Sequence, residues 1–537
     1  MQGRKEFQDK MFYQVRLSEL VPKNNFYCRL DSILDLGFLY KETAKYYGSE
    51  GQESIDPVVF FKICLVGYLN NIISDRRLIE YCTDSLAIRL FIGYDIDEKL
   101  PWHSTISRTR QLYGEEVFKE VFDTILTQCI EAGLVAGHTQ AIDSAFVKAN
   151  AGMDSLELKV PEDSLEEHLR KVRHISNMDK EKELPFRKAH NNRATLEQKT
   201  ILASGNELRD INTRQKKWSK DQDQRPGAGN KGSKYTSNKT HYSPVDPDAR
   251  ISVKPGKARK LNYFSQLSVD STNHVITHVQ ADFADQKDNQ CLKSLVSNTK
   301  VNLLRNGLVM ENVLADAGYS SGDNYAWLES ENIKSYIPPH GTYKGGPDGF
   351  SYVENGDYWV CPQGIHVTFR IQRIEKGTLK NFYLSRRSDC KNCPIKKYCI
   401  GKSYEKKISV TAYKAEYDRN IDRLKKNKWH KKKRMSTVEP VFGTLINFLG
   451  MNRVNTRGIQ QANKCMLMGA TTFNLKKLLK YLKPKRISMS NSQILPKITS
   501  KFEEFNSFIH LLIFLRSMAQ ESLKKIIFCP YPSWRIR

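Results

Sequence analysis

A chain of 537 residues with a formal net charge of +26 and a sequence pI near 9.4 has room for roughly three or four domains of ~150 residues each. Its 39% hydrophobic content and mean hydropathy of −0.55 give a polar chain with enough apolar residues for a core. They argue against a helical membrane protein, because no run reaches the ~18 apolar residues of a span; the longest late candidate, FIHLLIFLRSM at 508–518, is too short. The basic excess favours a polyanionic partner, since each neutralised phosphate releases condensed counterions. The opening MQGRKEFQDKMFYQ carries no apolar signal-peptide stretch, so a cytoplasmic location is expected.

In chain order, residues 1–50 begin irregularly, with leucines at short helical spacing. Pro57 predicts a helix start at its favoured first-turn position, and PVVFFKICLVGYLNNI continues it. A second helix is expected over about Asp75 to Gly93. In LPWHSTISRTR, Ser104 or Thr105 is a candidate cap for a helix bearing Arg108 and Arg110. A long helix over about Glu115 to Ala132 follows from apolar residues at helical spacing. Residues 1–135 are thus expected to form an all-α domain. Short helices with a Ser/Thr-Arg segment suit DNA docking of helix-turn-helix type; a plain bundle with solvated arginines is the competing reading.

At GHTQAIDSAFVKANA the helical spacing ends and a strand is predicted, with Asp143 in its middle. An aspartate in an apolar strand is unfavourable, unless it faces solvent at an edge or serves chemistry. Residues 150–250 read as an insertion, charged and helical at first. Its second part is a flexible basic loop with Trp218, Tyr235 and Tyr242 interleaved, a composition that suits backbone tracking along DNA as well as a solvated linker. LNYFSQLSV and HVITHVQADF, separated by DSTN, read as a hairpin. A helix over about Asn289 to Asn306 follows. In VLADAGYSS, Val313, Leu314 and Ala315 run into Asp316, the pattern of a buried strand that ends in a carboxylate. A helix over about Asp323 to Asn332 and a short strand SYIP complete a mixed α/β sheet.

Residues 340–410 read as a second insertion, with short strands and four clustered cysteines. Cys361, Cys390, Cys393 and Cys399 fall within 39 residues. Their spacing suits a tetrahedral, structural Zn²⁺ site; reduced thiols are the alternative. The remaining seven cysteines read as small core residues. From 402 the chain is strongly basic, and LKKNKWHKKKR includes Lys432, Lys433 and Arg434. In STVEPVFGTLINFLGMNRVNTRG an apolar helical face begins at Val438. Glu439 is expected near the start of that helix with Pro440 in its first turn, between the basic run and Arg453 and Arg457. A first-turn glutamate commonly just complements the helix dipole; one lying among phosphate-binding groups suits chemistry better than simple docking.

Three carboxylates on two strands and a late helix, Asp143, Asp316 and Glu439, can converge in an RNase H-like fold. There they would hold hard cations such as Mg²⁺, which take oxygen ligands, for two-metal phosphodiester chemistry.

The chain resembles a bacterial insertion-sequence transposase of the DDE type. The blocks that carry the resemblance occur in the family's order: SDRRLIEYC and LPWHSTISRTR, AIDSAFVKANA, SPVDPDAR, VLADAGYSS, CKNCPIKKYC, and STVEPVFGTL followed by NTRG. The resemblance spans about residues 10–480. It implies an α/β fold: an RNase H-like mixed sheet flanked by helices, with an N-terminal all-α DNA-binding domain (1–135) and a catalytic domain (136–482) interrupted by the two insertions. It implies Asp143, Asp316 and Glu439 as catalytic residues and ligands of Mg²⁺ or Mn²⁺. It also implies DNA contacts from Arg108, Arg110, Lys432, Lys433, Arg434, Arg453 and Arg457.

The partners so implied are terminal inverted repeats and target DNA, bound by a homodimer, and the protein would be nucleoid-associated when on DNA. Where relatives often carry a lysine seven residues after the glutamate, this chain has Ile446. The tail after about residue 483 matches none of these blocks and reads as either an added helical segment or the frameshifted end of a decayed copy. A nuclease without strand transfer, or a non-catalytic DNA-binding derivative, are the other functions compatible with the residues.

Overall fold

The structure is a computed structural model. It describes residues 16–156, 238–252 and 259–482 apart from positions 49, 51–53, 239–240, 342 and 376, together with the backbone of 157–158, 160–161, 186–188 and 200–203. Most of the first insertion, with Trp218 and Tyr235, and the tail 483–537 lie outside the described residues. The chain up to Tyr481 forms one compact unit.

Three short helical turns lead into α1 (Pro57–Leu69). Pro57 stands at its first turn, and the Asp56 carboxylate accepts from Val58 N at 2.7 Å and Val59 N at 3.1 Å, which satisfies two of the orphan donors of a helix start. The single helix expected over Asp75 to Gly93 is two: α2 (Asp75–Asp84) and α3 (Leu86–Ile92). Ser85 sits between them in extended conformation and caps α3 by accepting from Ile88 N. Gly93 closes α3 at φ +84, a left-handed geometry that favours glycine. Helix α4 (His103–Leu112) starts before the expected caps. Its N-cap is Trp102, and Ser104 and Thr105 lie inside the first turn. Helix α5 (Glu115–Glu131) buries Val117, Phe118, Val121, Phe122, Ile125, Leu126 and Cys129, the residues its spacing selects. Phe60, Phe61, Tyr113, Phe118 and Phe122 are fully buried here, each contributing about 1.5–3 kcal/mol of transfer free energy.

The larger sheet contains β1 (Thr139–Lys148), β2 (Arg250–Ser252), β3 (Lys260–Asp270), β4 (Ile276–Phe283), β5 (Asn312–Leu314) and β6 (Lys334–Tyr336). Its order is β6-β5-β1-β3-β2, with β4 also on β3. β3 pairs antiparallel with β1 and β4, whereas β1, β5 and β6 run parallel. This is the RNase H-like mixed sheet. Leu261 to Asp270 are all buried, because α6 (Asp288–Arg305), α11 (His430–Phe448) and α12 (Ile459–Tyr481) pack over the sheet. The outer backbone of β4 is met by two side chains of α12. Asn463 Oδ1 accepts from Ala281 N at 2.8 Å, and Asn474 accepts from Ile276 N at 2.9 Å and donates to Ile276 O at 2.8 Å.

Between β6 and α11 the chain builds a separate five-stranded antiparallel sheet, β7 (Ser351–Val353), β8 (Tyr358–Val360), β9 (His366–Glu375), β10 (Thr378–Leu384) and β11 (Lys407–Thr411), in that order. Its own small core holds Trp359, Val367, Tyr383, Ile408 and Val410. Two short helices, α8 (Arg387–Lys391) and α9 (Lys396–Cys399), fill the β10–β11 connection. Helix α10 (Lys414–Lys426) then docks on β6. Its buried Asn420 accepts from Ser335 Oγ at 3.0 Å and donates to Ile337 O at 2.8 Å.

Helix α11 corrects the sequence reading. Pro440 lies inside it, not in its first turn. The helix begins at His430 because the Lys/Arg run is good helix-forming sequence, while Val438, Val441, Phe442 and Leu445 bury one face. Proline there removes one intrahelical bond, and the buried face outweighs that loss.

Candidate active site

β1 and β5 are parallel neighbours with Ala141 level with Leu314. Two residues further along each strand stand Asp143 and Asp316, so the register carries both carboxylates to the same level at the carboxyl end of β5. β5 stops there because Asp316 turns the chain: its Oδ1 accepts from Gly318 N at 2.9 Å and opens the single turn Ala317–Tyr319. Asp143 is on a central strand flanked by β5 and β3, so the solvated-edge reading does not apply.

Asp143 is mostly buried. Its Oδ1 accepts from Ser144 N at 2.8 Å and its Oδ2 from Arg434 at 2.8 Å. Burial, with a smaller push from the neighbouring Asp316 charge, raises its carboxyl to about 6 against the opposing pull of Ser144 N–H and Arg434.

A third carboxylate, Asp288, joins this pair. Nothing in the sequence pattern singles it out, since an acidic residue in the first turn of a helix is ordinary. Asp288 opens α6, and its Oδ1 accepts from Ser144 Oγ at 2.6 Å. A Cβ added at Gly318 would lie 2.7 Å from Asp288 Oδ2 and 3.0 Å from Asp316 Oδ1, so glycine is what lets both carboxylates approach this turn. Beneath them Tyr319 is fully buried and donates to Gln266. Burial, then the charges of Asp288, Asp143 and Asp316, push its phenol well above its ordinary range.

Glu439 is exposed, partway along α11. That helix packs on β1, β3 and β5 and carries Arg434 to Asp143. Among the described residues no group of three or more His, Cys, Asp or Glu side chains is gathered closely enough to hold a metal. Asp143 and Asp316 nevertheless fit a hard divalent cation. They supply adjacent carboxylate oxygens where negative charge is poorly solvated, and Mg²⁺ binds proteins through one or two carboxylates with several waters retained.

The seven basic residues divide. Arg108, Lys432, Arg453 and Arg457 are exposed and Lys433 is half-buried. Arg453 donates to Asn150 at 2.7 Å, and its loop is joined to β1 by Val454 N donating to Lys148 O at 2.8 Å. Arg434 turns inward to Asp143. Arg110 departs from the expectation of a DNA contact: it is 7% exposed and makes two hydrogen bonds to Asp75, at 2.8 and 2.9 Å. It is a structural tie between α4 and α2.

The SPVDPDAR block is also structural. Asp246 accepts from Tyr263 Oη at 2.6 Å and Gly458 N at 3.0 Å, and Asp248 accepts from Ile459 N at 3.0 Å, so the two aspartates cap α12. The four clustered thiols are partly exposed and are not drawn to one point among the described residues. Cys361 follows β8, while Cys390, Cys393 and Cys399 lie on and between α8 and α9. The expected Cys₄ zinc arrangement is therefore not assembled in this structure.

Comparison with protein families agrees with this architecture. A Transposase domain (DUF772) matches residues 15–112, and a Transposase DDE domain matches residues 360–479. No curated protein matches the chain. The first match covers the helical region through α4, and the second contains Glu439 and Arg434; Asp143 and Asp316 precede it. The two matches are both to transposase domains, and with the fold they are consistent with an insertion-sequence DDE transposase. Among the described residues no helix is long and apolar enough to cross a membrane.

Proposed function

We propose that this protein is a DNA transposase that cleaves and joins strands at the ends of an insertion sequence, with Asp143, Asp316 and Glu439 as its catalytic carboxylates. The observation that carries the reading is the level pairing of Asp143 and Asp316 on adjacent parallel strands, beneath a helix that bears both Glu439 and basic residues. Simple DNA docking has no use for two adjoining carboxylates beside a phosphate-binding surface, because they repel the backbone that the lysines attract.

Asp143 and Asp316 would hold Mg²⁺ or Mn²⁺, with Glu439 joining from α11. Such a cation, when bound, supplies the charge that activates water or a 3′-hydroxyl and steadies the leaving oxygen. Lys432, Lys433, Arg453 and Arg457 position the phosphodiester, and Arg108 extends the contact from the helical region. Two copies bring two element ends together, and the protein works on nucleoid DNA. The cysteine cluster holds structural Zn²⁺ only if its thiols rearrange toward one another.

The test is strand cleavage of DNA carrying the element ends. Asp143→Asn, Asp316→Asn and Glu439→Gln should each cut cleavage by roughly 10²–10³ while leaving DNA affinity within about twofold, the scale for removing one group that stabilises transition-state charge. Normal cleavage by Asp316→Asn in Mg²⁺ would overturn the assignment. Precleaved ends separate transposition from simple nuclease action, since only a transposase yields joined product.

A further inference from the structure

The connection between β10 and β11 leaves the small sheet at Ser385 and returns at Lys406. Its neck is closed by Ser385 N donating to Lys406 O at 3.0 Å and Lys406 N donating to Ser385 Oγ at 2.8 Å. Lys406 Nζ also donates to Cys399 O at 3.2 Å, which ties α9 to the neck. The segment between is a knuckle held at its base.

Two tyrosines stand on it almost wholly in solvent, Tyr398 at 90% and Tyr404 at 75% exposure. They are the most exposed aromatic side chains among the described residues. Neither contributes to the small core. Lys397 and Lys402 flank them and are exposed. Between residues 361 and 411 there are twelve Lys/Arg against three Asp/Glu, so this surface attracts anions strongly. At the root of the knuckle Lys407 Nζ lies 4.9 Å from the Phe382 ring centroid and the Arg373 guanidinium carbon 4.4 Å from it. Ring contacts of this kind hold two further cations on the same sheet.

Rings left in water and interleaved with lysines are what a single nucleic-acid strand recognises. The bases stack on the rings, and the cations follow the phosphates. An acidic protein would use the lysines but would leave the rings without partners of their own kind. We propose that the knuckle is a second DNA-contact surface, in which Lys397 and Lys402 hold phosphates and Tyr398 and Tyr404 stack on unpaired bases of a strand separated from its duplex. The choice of DNA as occupant rests on the reading of the chain as a transposase. The surface itself is distinct from the carboxylate site.

The experiment measures fluorescence anisotropy of the full chain, in EDTA, with a labelled single-stranded oligonucleotide and with the same sequence as a duplex. The double variant Tyr398→Ala/Tyr404→Ala should weaken single-strand binding about tenfold or more and duplex binding less than about twofold. The matching Tyr→Phe variant should bind like the unaltered chain, which separates lost stacking from a collapsed knuckle. Lys397→Ala/Lys402→Ala should weaken both probes and reduce the salt slope by about 1.5. Unaltered single-strand affinity in the double alanine variant, or an unaltered salt slope in the lysine variant, overturns the proposal. Asp316→Asn, assayed alongside for cleavage, keeps the two readings apart. Its inactivity with fully binding knuckle variants removes only the knuckle proposal. Its full activity with weakened knuckle variants removes only the catalytic assignment.

Discussion

Arg434 reaches from α11 to Asp143 and donates a 2.8 Å hydrogen bond to its Oδ2. Both side chains are largely buried, at 16% and 20% exposure. The guanidinium thus neutralises the carboxylate that the proposed chemistry needs for a cation, so the two positive charges compete for one oxygen. Arg434→Met should lower stability in EDTA by about 1–3 kcal/mol, the scale for losing a charged hydrogen bond. Mg²⁺ should restore part of that loss by binding the native state selectively. The check is a pair of thermal melts with and without Mg²⁺, joined to calorimetric titration. A variant that binds Mg²⁺ more weakly than the unaltered protein would contradict the competition.

Arg108 and Arg110 are two residues apart on one helix and have opposite expected behaviour. Arg110 is paired with Asp75 in the interior, and truncating it leaves a buried charge without its partner. Arg110→Ala should cost about 3–5 kcal/mol in denaturant unfolding. Arg108→Ala should stay within about 0.5 kcal/mol of the unaltered chain and lower the salt slope of DNA binding by about 1. Reversed outcomes would return Arg110 to the DNA surface.

Lys464 is 3% exposed, on α12. Its ammonium donates to Arg110 O at 3.1 Å and Tyr113 O at 2.6 Å, with the Phe118 ring centroid 5.4 Å away. It therefore satisfies carbonyls at the carboxyl end of α4, where a cation also complements the helix dipole. Lys464→Met keeps the volume and strands those carbonyls, at a cost of about 2–4 kcal/mol. Equilibrium unfolding in urea measures it, and a change below about 0.5 kcal/mol would show that the carbonyls find water instead.

His278 is fully enclosed, and burial followed by the nearby Lys119 charge lowers its pKa to about 4. Its Nε2 has no protein partner among the described residues, and Glu115 and Lys119 line the same cavity of about 270 Å³. The folded state binds this proton less readily than the unfolded chain, whose histidine titrates near 6.5. The stability it contributes is therefore complete above about 6.5 and declines as pH falls toward 4. His278→Gln should flatten that decline by up to roughly 3 kcal/mol. Parallel slopes for the two proteins across this range would exclude His278 as the source.

Local patterns carried much of the architecture. The apolar spacing of Val117 to Ile130 and the hairpin around DSTN need only neighbouring residues, and both stand in the structure as read. The sheet order and the pairing of Asp143 with Asp316 depend on strands far apart in the chain, which no local period encodes. Ser85 and Pro440 misled for related reasons. A serine inside a helical pattern gave no sign that α2 and α3 separate there. A proline resembling a helix start was overridden by the buried face around it and the helix-forming basic run before it. The burial of Arg110 and the approach of Asp288 to Gly318 arise only when distant elements pack, so neither residue could be distinguished from its exposed equivalents in advance.

Asn463 and Asn474 occupy hydrogen-bonding groups on the outer rim of β4. An exposed rim of this kind invites a strand from another molecule. With a helix standing along it and amides of its own chain in place, that route to self-association is obstructed. Two copies of the chain cannot then extend the sheet across this rim without first displacing Asn463 and Asn474.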